Sequence, residues 1–167
     1  MAYTRPSGLP IIDDHAAKVI EEVAHVDERG RINFLPRWRD RIAWLSRSSG
    51  NVEALMIFKE PGLIAICNWL PDGPNIQKRY EELAERSDSE ALEALRLIQS
   101  RFRRLSIPAN DRTSMGDAAL VHLGLPFERD KRSSIYVSIL PDRIELLSPD
   151  LRNSRLLLGS ILIDDLP

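Results

Sequence analysis

The chain has 167 residues, a net charge of -2 and 43% hydrophobic residues, which suits one compact domain or two small, closely joined halves. That balance excludes a polycation binding nucleic acid indiscriminately, and the single cysteine excludes an intrachain disulfide. No apolar run approaches the ~20 residues a membrane span requires. The start also lacks the basic-then-apolar order of a secretory leader, so a cytoplasmic chain without a membrane partner is expected.

Residues 1–22 read as an N-terminal arm. Pro6, Gly8 and Pro10 favour a mobile start, and Asp13 and Asp14 are placed to cap a short helix through Ala16, Ala17, Val19 and Ile20. Residues 23–26 form a strand that enters the densest stretch of the chain, DERGRINFLPRWRDR at residues 27–41. Gly30 allows the positive φ of a tight turn. Ile32 to Leu35 then alternate as a short strand, and Pro36 suits a first helical turn, where its missing donor has no partner to lose. Trp38, Ile42 and Leu45 recur at helical spacing and predict one helix over 37–45 facing the core. Trp38 and Trp44 are read as core or interface anchors.

A hairpin follows, turning at Glu60, Pro61 and Gly62. Cys67 is expected in its second strand as a buried small hydrophobe. Pro71, Asp72, Gly73 and Pro74 break the chain and mark a boundary between halves. In the connector, residues 71–94, Ile76, Tyr80, Leu83 and Ala84 space as an amphipathic helix, and Ser87 with Glu90 makes a capping-box pattern for a second helix carrying Ala91, Leu92 and Leu95. Residues 95–100 fit either the end of that helix or a strand.

The run RFRRLSIPANDR, residues 101–112, repeats features of the first arginine-rich stretch. A constant offset of 73 residues lays Arg31 on Arg104, Leu35 on Pro108 and Arg39 on Arg112. The hairpin repeats as well, with Pro61 on Pro141 at an offset of 80. An internal repeat governs any fold proposed for the chain: each copy is a strand, turn, short strand, helix and hairpin. Gly124 closes the second helix, and residues 126–132 read as a charged loop. Ile135, Val137 and Ile139 alternate against Ile144 and Leu146 in the second hairpin. The tail, residues 150–167, is apolar from Leu156 to Ile163, as either a buried strand or an edge that another copy covers.

The order D-x-x-G-R, short strand, proline-led helix and hairpin with a Pro/Gly or Pro/Asp turn resembles the AbrB/SpoVT-type swapped-hairpin domain. Two such units, at residues 23–70 and 95–149, resemble the MraZ family. The chain departs from the pattern at Leu35, where proline is expected, and at Ser100 and Arg103 in the second copy as aligned. The resemblance implies a mainly β, α+β fold of two pseudo-symmetric, interleaved swapped-hairpin half-barrels. It also implies a ring-shaped homo-oligomer and a sequence-specific transcriptional regulator binding double-stranded DNA, nucleoid-associated in the cytoplasm.

The residues expected on DNA are Arg29, Arg31, Arg37, Arg39, Arg101, Arg103 and Arg104, since arginine reads guanine bidentately and neutralises phosphate. Arg31, directly after the turn glycine, is expected to project from the loop tip and contribute most, with Arg29 reaching flanking phosphates. The alternative is an antitoxin-like assembly subunit that keeps the fold without binding DNA, favoured by the acidic net charge and the altered second loop. A nucleophile elbow, a phosphate loop and a histidine pair at helical spacing are all missing from the sequence, and His15, His25 and His122 share no spacing. Neither catalysis nor a metal or other cofactor is therefore expected.

Overall fold

The computed structural model describes residues 19–46, 50–125 and 133–166; the expected helix through Ala16 and Ala17, His15 and the loop at 126–132 lie outside them. Among the described residues the chain is α+β, with eight strands and six helices. The first half holds β1 (Ile20–Val26), β2 (Arg31–Asn33), α1 (Pro36–Arg41), α2 (Ala43–Ser46), β3 (Val52–Phe58) and β4 (Leu63–Asn68). A connector of α3 (Asp72–Ala84) and α4 (Ser89–Arg101) leads to β5 (Phe102–Ile107), β6 (Arg112–Ser114), α5 (Asp117–His122), β7 (Ser133–Ile139), β8 (Arg143–Leu147) and α6 (Pro149–Leu162).

Six strands form one sheet in the order β1-β7-β8-β4-β3-β5, and β2 and β6 form a second pair. Every strand pairing among the described residues is antiparallel. The halves exchange strands: β1 lies on β7, Ala24 opposite Ile135, while β5 lies on β3, Leu105 opposite Ala54. The hairpins meet through β4 and β8, with Ile66 opposite Ile144. Strand alternation turns Ala24, Val26, Met56, Ile64, Ile66, Ile135, Val137, Ile139, Ile144 and Leu146 to one buried face. Trp38, Ile42 and Leu45 cover it at 2%, 0% and 0% exposure, so the predicted facing is right although the predicted single helix is not. At Ile42 the backbone turns extended (φ -115°, ψ 113°), which separates α1 from α2.

The repeat lies in a different register from the one the arginines suggested. Gly30 has φ 73°; the residue with the same role in the second turn is Asp111, φ 65°. Gly30 N–H donates to Asp27 O at 3.0 Å and Asp111 N–H to Pro108 O at 2.9 Å. Across the β2–β6 pair, Phe34 N–H donates to Asp111 O at 2.9 Å and Met115 N–H to Gly30 O at 3.1 Å. Matching residues, Gly30 with Asp111 and Phe34 with Met115, are thus 81 apart. The counterpart of Arg31 is Arg112, and the offset of 73 is wrong. Arginines dominate both stretches and align by identity, whereas the backbone aligns by the turn.

The connector also departs from expectation. Pro71 to Pro74 straddle the change from β4 to the connector: Pro71 caps α3, which begins at Asp72, and since first-turn donors lack helical partners Pro74 removes none that is needed. Asp88, not Ser87, caps α4, its carboxylate accepting Ala91 N–H at 3.1 Å. Residues 95–101 are helix, and β5 begins only at Phe102. The apolar tail is helix α6, not a strand, capped by Ser148, which accepts Leu151 N–H at 3.2 Å. Cys67 faces away from the core and is half-buried, opposite Leu55 and Arg143; partial desolvation pushes its thiol pKa up.

Candidate functional site

The β2–β6 pair sets two turns side by side. In the first, residues 27–31, the Asp27 carboxylate accepts the N–H groups of Arg29 and Arg31, both at 2.9 Å, and the Arg31 Nε at 2.8 Å. Burial pushes the Asp27 pKa up, but the Arg31 and Arg29 hydrogen bonds outweigh it and hold the carboxyl below its ordinary value. Arg31 therefore does not project from the tip: its guanidinium folds back on Asp27 and its side chain is 29% exposed. Arg29 occupies the exposed position, with no side-chain partner among the described residues. The second turn, residues 108–112, uses Asn110 where the first uses Asp27; its Oδ1 accepts Arg112 N–H at 3.1 Å.

Register places Arg31 opposite Ser114 and Asn33 opposite Arg112. His25, Asp27, Glu28, Arg31, Asn33 and Arg112 line a concavity of about 400 Å³. Arg112 is exposed and its side chain has no partner among the described residues. Sequence reasoning missed it as a site residue. The clue was present, because the hairpin offset of 80, carried upstream with one residue added, lays Gly30-Arg31 on Asp111-Arg112.

Each half's helix rests on the other half's turn. Leu120 of α5 lies against Gly30, its Cδ1 2.8 Å from where a Cβ would stand. Arg39 of α1 lies against the second turn, Nε to Asp111 Oδ1 at 2.5 Å and Nη2 to Pro108 O at 3.1 Å. With 14% exposure, Arg39 is a structural tie between halves. Arg37 is more open, at 65%, and pairs with Glu22 (Nε to Oε1, 2.6 Å). Glu22 also accepts Trp38 Nε1 at 2.5 Å. The Arg37 hydrogen bond is the largest effect lowering the Glu22 carboxyl pKa, opposed by burial and assisted by Trp38. Neither Arg37 nor Arg39 pairs with Asp27 or Asp40.

The expected residues of the second run are not on a turn. Arg101 ends α4, and Arg103 and Arg104 lie within β5. Arg104 bonds Glu53 at 2.8 Å and stacks on Trp69 at 4.7 Å; Arg103 sits over Phe58 at 5.7 Å. Arg103, Arg104 and Arg112 do border one cleft of about 540 Å³ between β5 and the start of α5, above Met56 and Met115. Among the described residues no group of three or more His, Cys, Asp or Glu side chains is placed to hold a metal ion. His122 Nε2 instead lies 2.9 Å from Glu60 O and 3.0 Å from Leu63 O, tying α5 to the first hairpin. Among the described residues, too, no helix is long and apolar enough to cross a membrane. No protein-family model matches the chain, and no curated protein matches it.

Proposed function

We propose that the chain is a DNA-binding transcriptional regulator of the MraZ type, acting in the cytoplasm at the nucleoid, its two halves forming a swapped-hairpin pair about a pseudo-twofold axis. The supporting observation is the juxtaposition of the two turns through β2 and β6, with Arg31 and Arg112 lining one concavity and Arg29 exposed on the first turn. Arg29 and Arg112 reach phosphates and base edges directly, while Arg31 is presented by Asp27, which fixes its guanidinium for bidentate contact. Arg37 adds a peripheral phosphate contact if it releases Glu22. Arg103 and Arg104 extend the cationic border through their shared cleft with Arg112.

Double-stranded fragments selected from genomic DNA by the intact protein provide the test. Losing an arginine that contacts a base costs about 1–3 kcal/mol at one position, whereas losing a phosphate contact weakens all sequences and lowers the salt slope by about one. Arg29→Ala and Arg112→Ala are each expected to show one of these patterns. Unchanged affinity of both variants at two salt concentrations would remove the paired turns as the DNA site and favour the assembly-subunit reading.

Assembly has an observation of its own. The distal half of α6 exposes Leu157 at 71%, Leu158 at 67%, Ile161 at 71% and Leu162 at 84%. A helix apolar on several faces at once needs a covering partner, and we assign that role to a second copy within a homo-oligomer, ring-shaped as in the family resembled. A closed ring would align several turns on one DNA and multiply weak contacts through avidity. Trp38 is excluded from such an interface because it is buried; Trp44 is partly buried and donates Nε1 to Asp142 O at 2.8 Å within the chain.

A further inference from the structure

The β2–β6 pair is a ribbon two strands wide with two unlike faces. Ile32 and Thr113 lie opposite each other and point inward, at 1% and 0% exposure. Alternation therefore turns Arg31, Asn33, Arg112 and Ser114 to the outer face, where Arg31 is partly buried and the other three are exposed. The Asn33 amide, the Ser114 hydroxyl and the Arg112 guanidinium have no hydrogen-bond partner among the described residues. All three are open to a ligand.

The offset of 81 residues that relates the two turns also exchanges the two strands of the ribbon. Arg31 and Arg112 are counterparts under it, and so are Asn33 and Ser114. At one end of the ribbon Arg31 stands opposite Ser114, and at the other Arg112 stands opposite Asn33. The arginines repeat; their companions do not. Their mountings differ as well. The Asp27 carboxylate holds Arg31 by Nε at 2.8 Å, which leaves Nη1 and Nη2 open. Asn110 in the second turn instead bonds the Arg112 backbone N–H, and the Arg112 guanidinium is unheld.

Granted the DNA-binding reading above, on which the assignment rests, the ribbon suits the major groove, which admits two β-strands. There arginine takes guanine through O6 and N7, and asparagine takes adenine through N6 and N7, each bidentately. Serine bonds several base edges with one hydroxyl and selects little. Residues i and i+2 of a strand stand about 6.8 Å apart, two base steps of about 3.4 Å each, so each strand addresses two nearby bases. We propose that the target is an imperfect inverted repeat with guanine in both halves, read by Arg31 and Arg112, and an adenine required only in the half read by β2, where Asn33 is the specificity-determining residue. Operator symmetry mirrors protein symmetry, and a ribbon with one unequal pair imposes one unequal position. Because Arg31 is held in advance while Arg112 is ordered only on binding, the β2 half is also the more stringent at its guanine.

The test is selection of duplexes from a random double-stranded pool by the full chain, run in parallel with Asn33→Ser and Ser114→Asn. The wild type is expected to select guanine in both halves and a fixed adenine in one. Replacing that adenine should weaken binding about tenfold, and replacing the base at the mirrored position less than about threefold. Asn33→Ser should lose the adenine preference and select a site alike in both halves, whereas Ser114→Asn should gain it in the second half and select a full palindrome. Both side chains are exposed, so the unfolding midpoints of the variants should match that of the wild type. A wild-type site alike in both halves, an Asn33→Ser variant that still demands the adenine, or a Ser114→Asn variant that selects the wild-type site overturns the proposal and leaves the DNA-binding reading standing. A pool that no protein enriches removes both.

Discussion

Gly30 and Asp111 solve one backbone problem in two ways. Both turns need a left-handed residue, at φ 73° and 65°, and glycine takes it without strain whereas aspartate is among the few side-chain residues that tolerate it. What packs above each turn decides the choice. A Cβ at Gly30 would displace the Leu120 Cδ1 methyl, while Arg39 requires an acceptor at Asp111. Gly30→Ala therefore combines a disfavoured φ with a clash and is expected to destabilise the fold by about 1–3 kcal/mol in urea unfolding. Asp111→Asn keeps the tolerance for positive φ but removes the charge. It should cost about 1–2 kcal/mol, with a matching coupling to Arg39→Ala in a double-mutant cycle; additive effects would show that the two side chains act independently.

At the scale of elements, local signals were strong wherever a cap or a proline wrote them into the chain. Pro36 opens α1 as its fixed φ predicts, and the α4 start is off by one residue because Asp88 competes successfully with Ser87 for the cap. Asp88→Ala should cost about 0.5–2 kcal/mol; no change in the unfolding midpoint would mean that α4 is held by packing alone. The break at Ile42 was invisible, because burial of its side chain at 0% exposure overrides the helical spacing that leads up to it. In α6 the apolar run is helical since the proline and serine at its start cap and open a helix that propagates through it. Leu158→Glu with Leu162→Glu is expected to lower the assembled mass in light scattering while helicity and the unfolding midpoint hold. An unchanged mass would end the role given to α6.

The whole molecule is held by strands each half lends to the other, so neither half buries its sheet alone. Two carboxylates at this junction, Glu22 and Asp27, titrate below their ordinary values. A lowered folded pKa contributes stability that is complete above the unfolded value, about 4 for such groups, and is lost as pH falls through the folded value. Urea midpoints are therefore expected to decline below about pH 4, with a shallower decline in Glu22→Gln, which has no carboxyl to protonate. An identical acid limb in both proteins would clear Glu22 of that role.

From its residues alone, the chain determined its local grammar: the turn at Gly30, the helix at Pro36, both hairpins with their buried alternation, and the existence of a repeat. Those features are read over a few residues, where glycine, proline and period-two hydrophobicity act directly on the backbone. The register of the repeat, and with it Arg112, was decided only in three dimensions. Arg31 and Arg104 look alike as letters, but Gly30 and Asp111 share a backbone conformation and a hydrogen-bond pattern that no identity reveals. The same holds for Arg39 and Arg37, which are cations in the sequence and ties to Asp111 and Glu22 in the fold. Which charges remain open depends on partners distant in sequence, and tertiary packing alone brings those partners together.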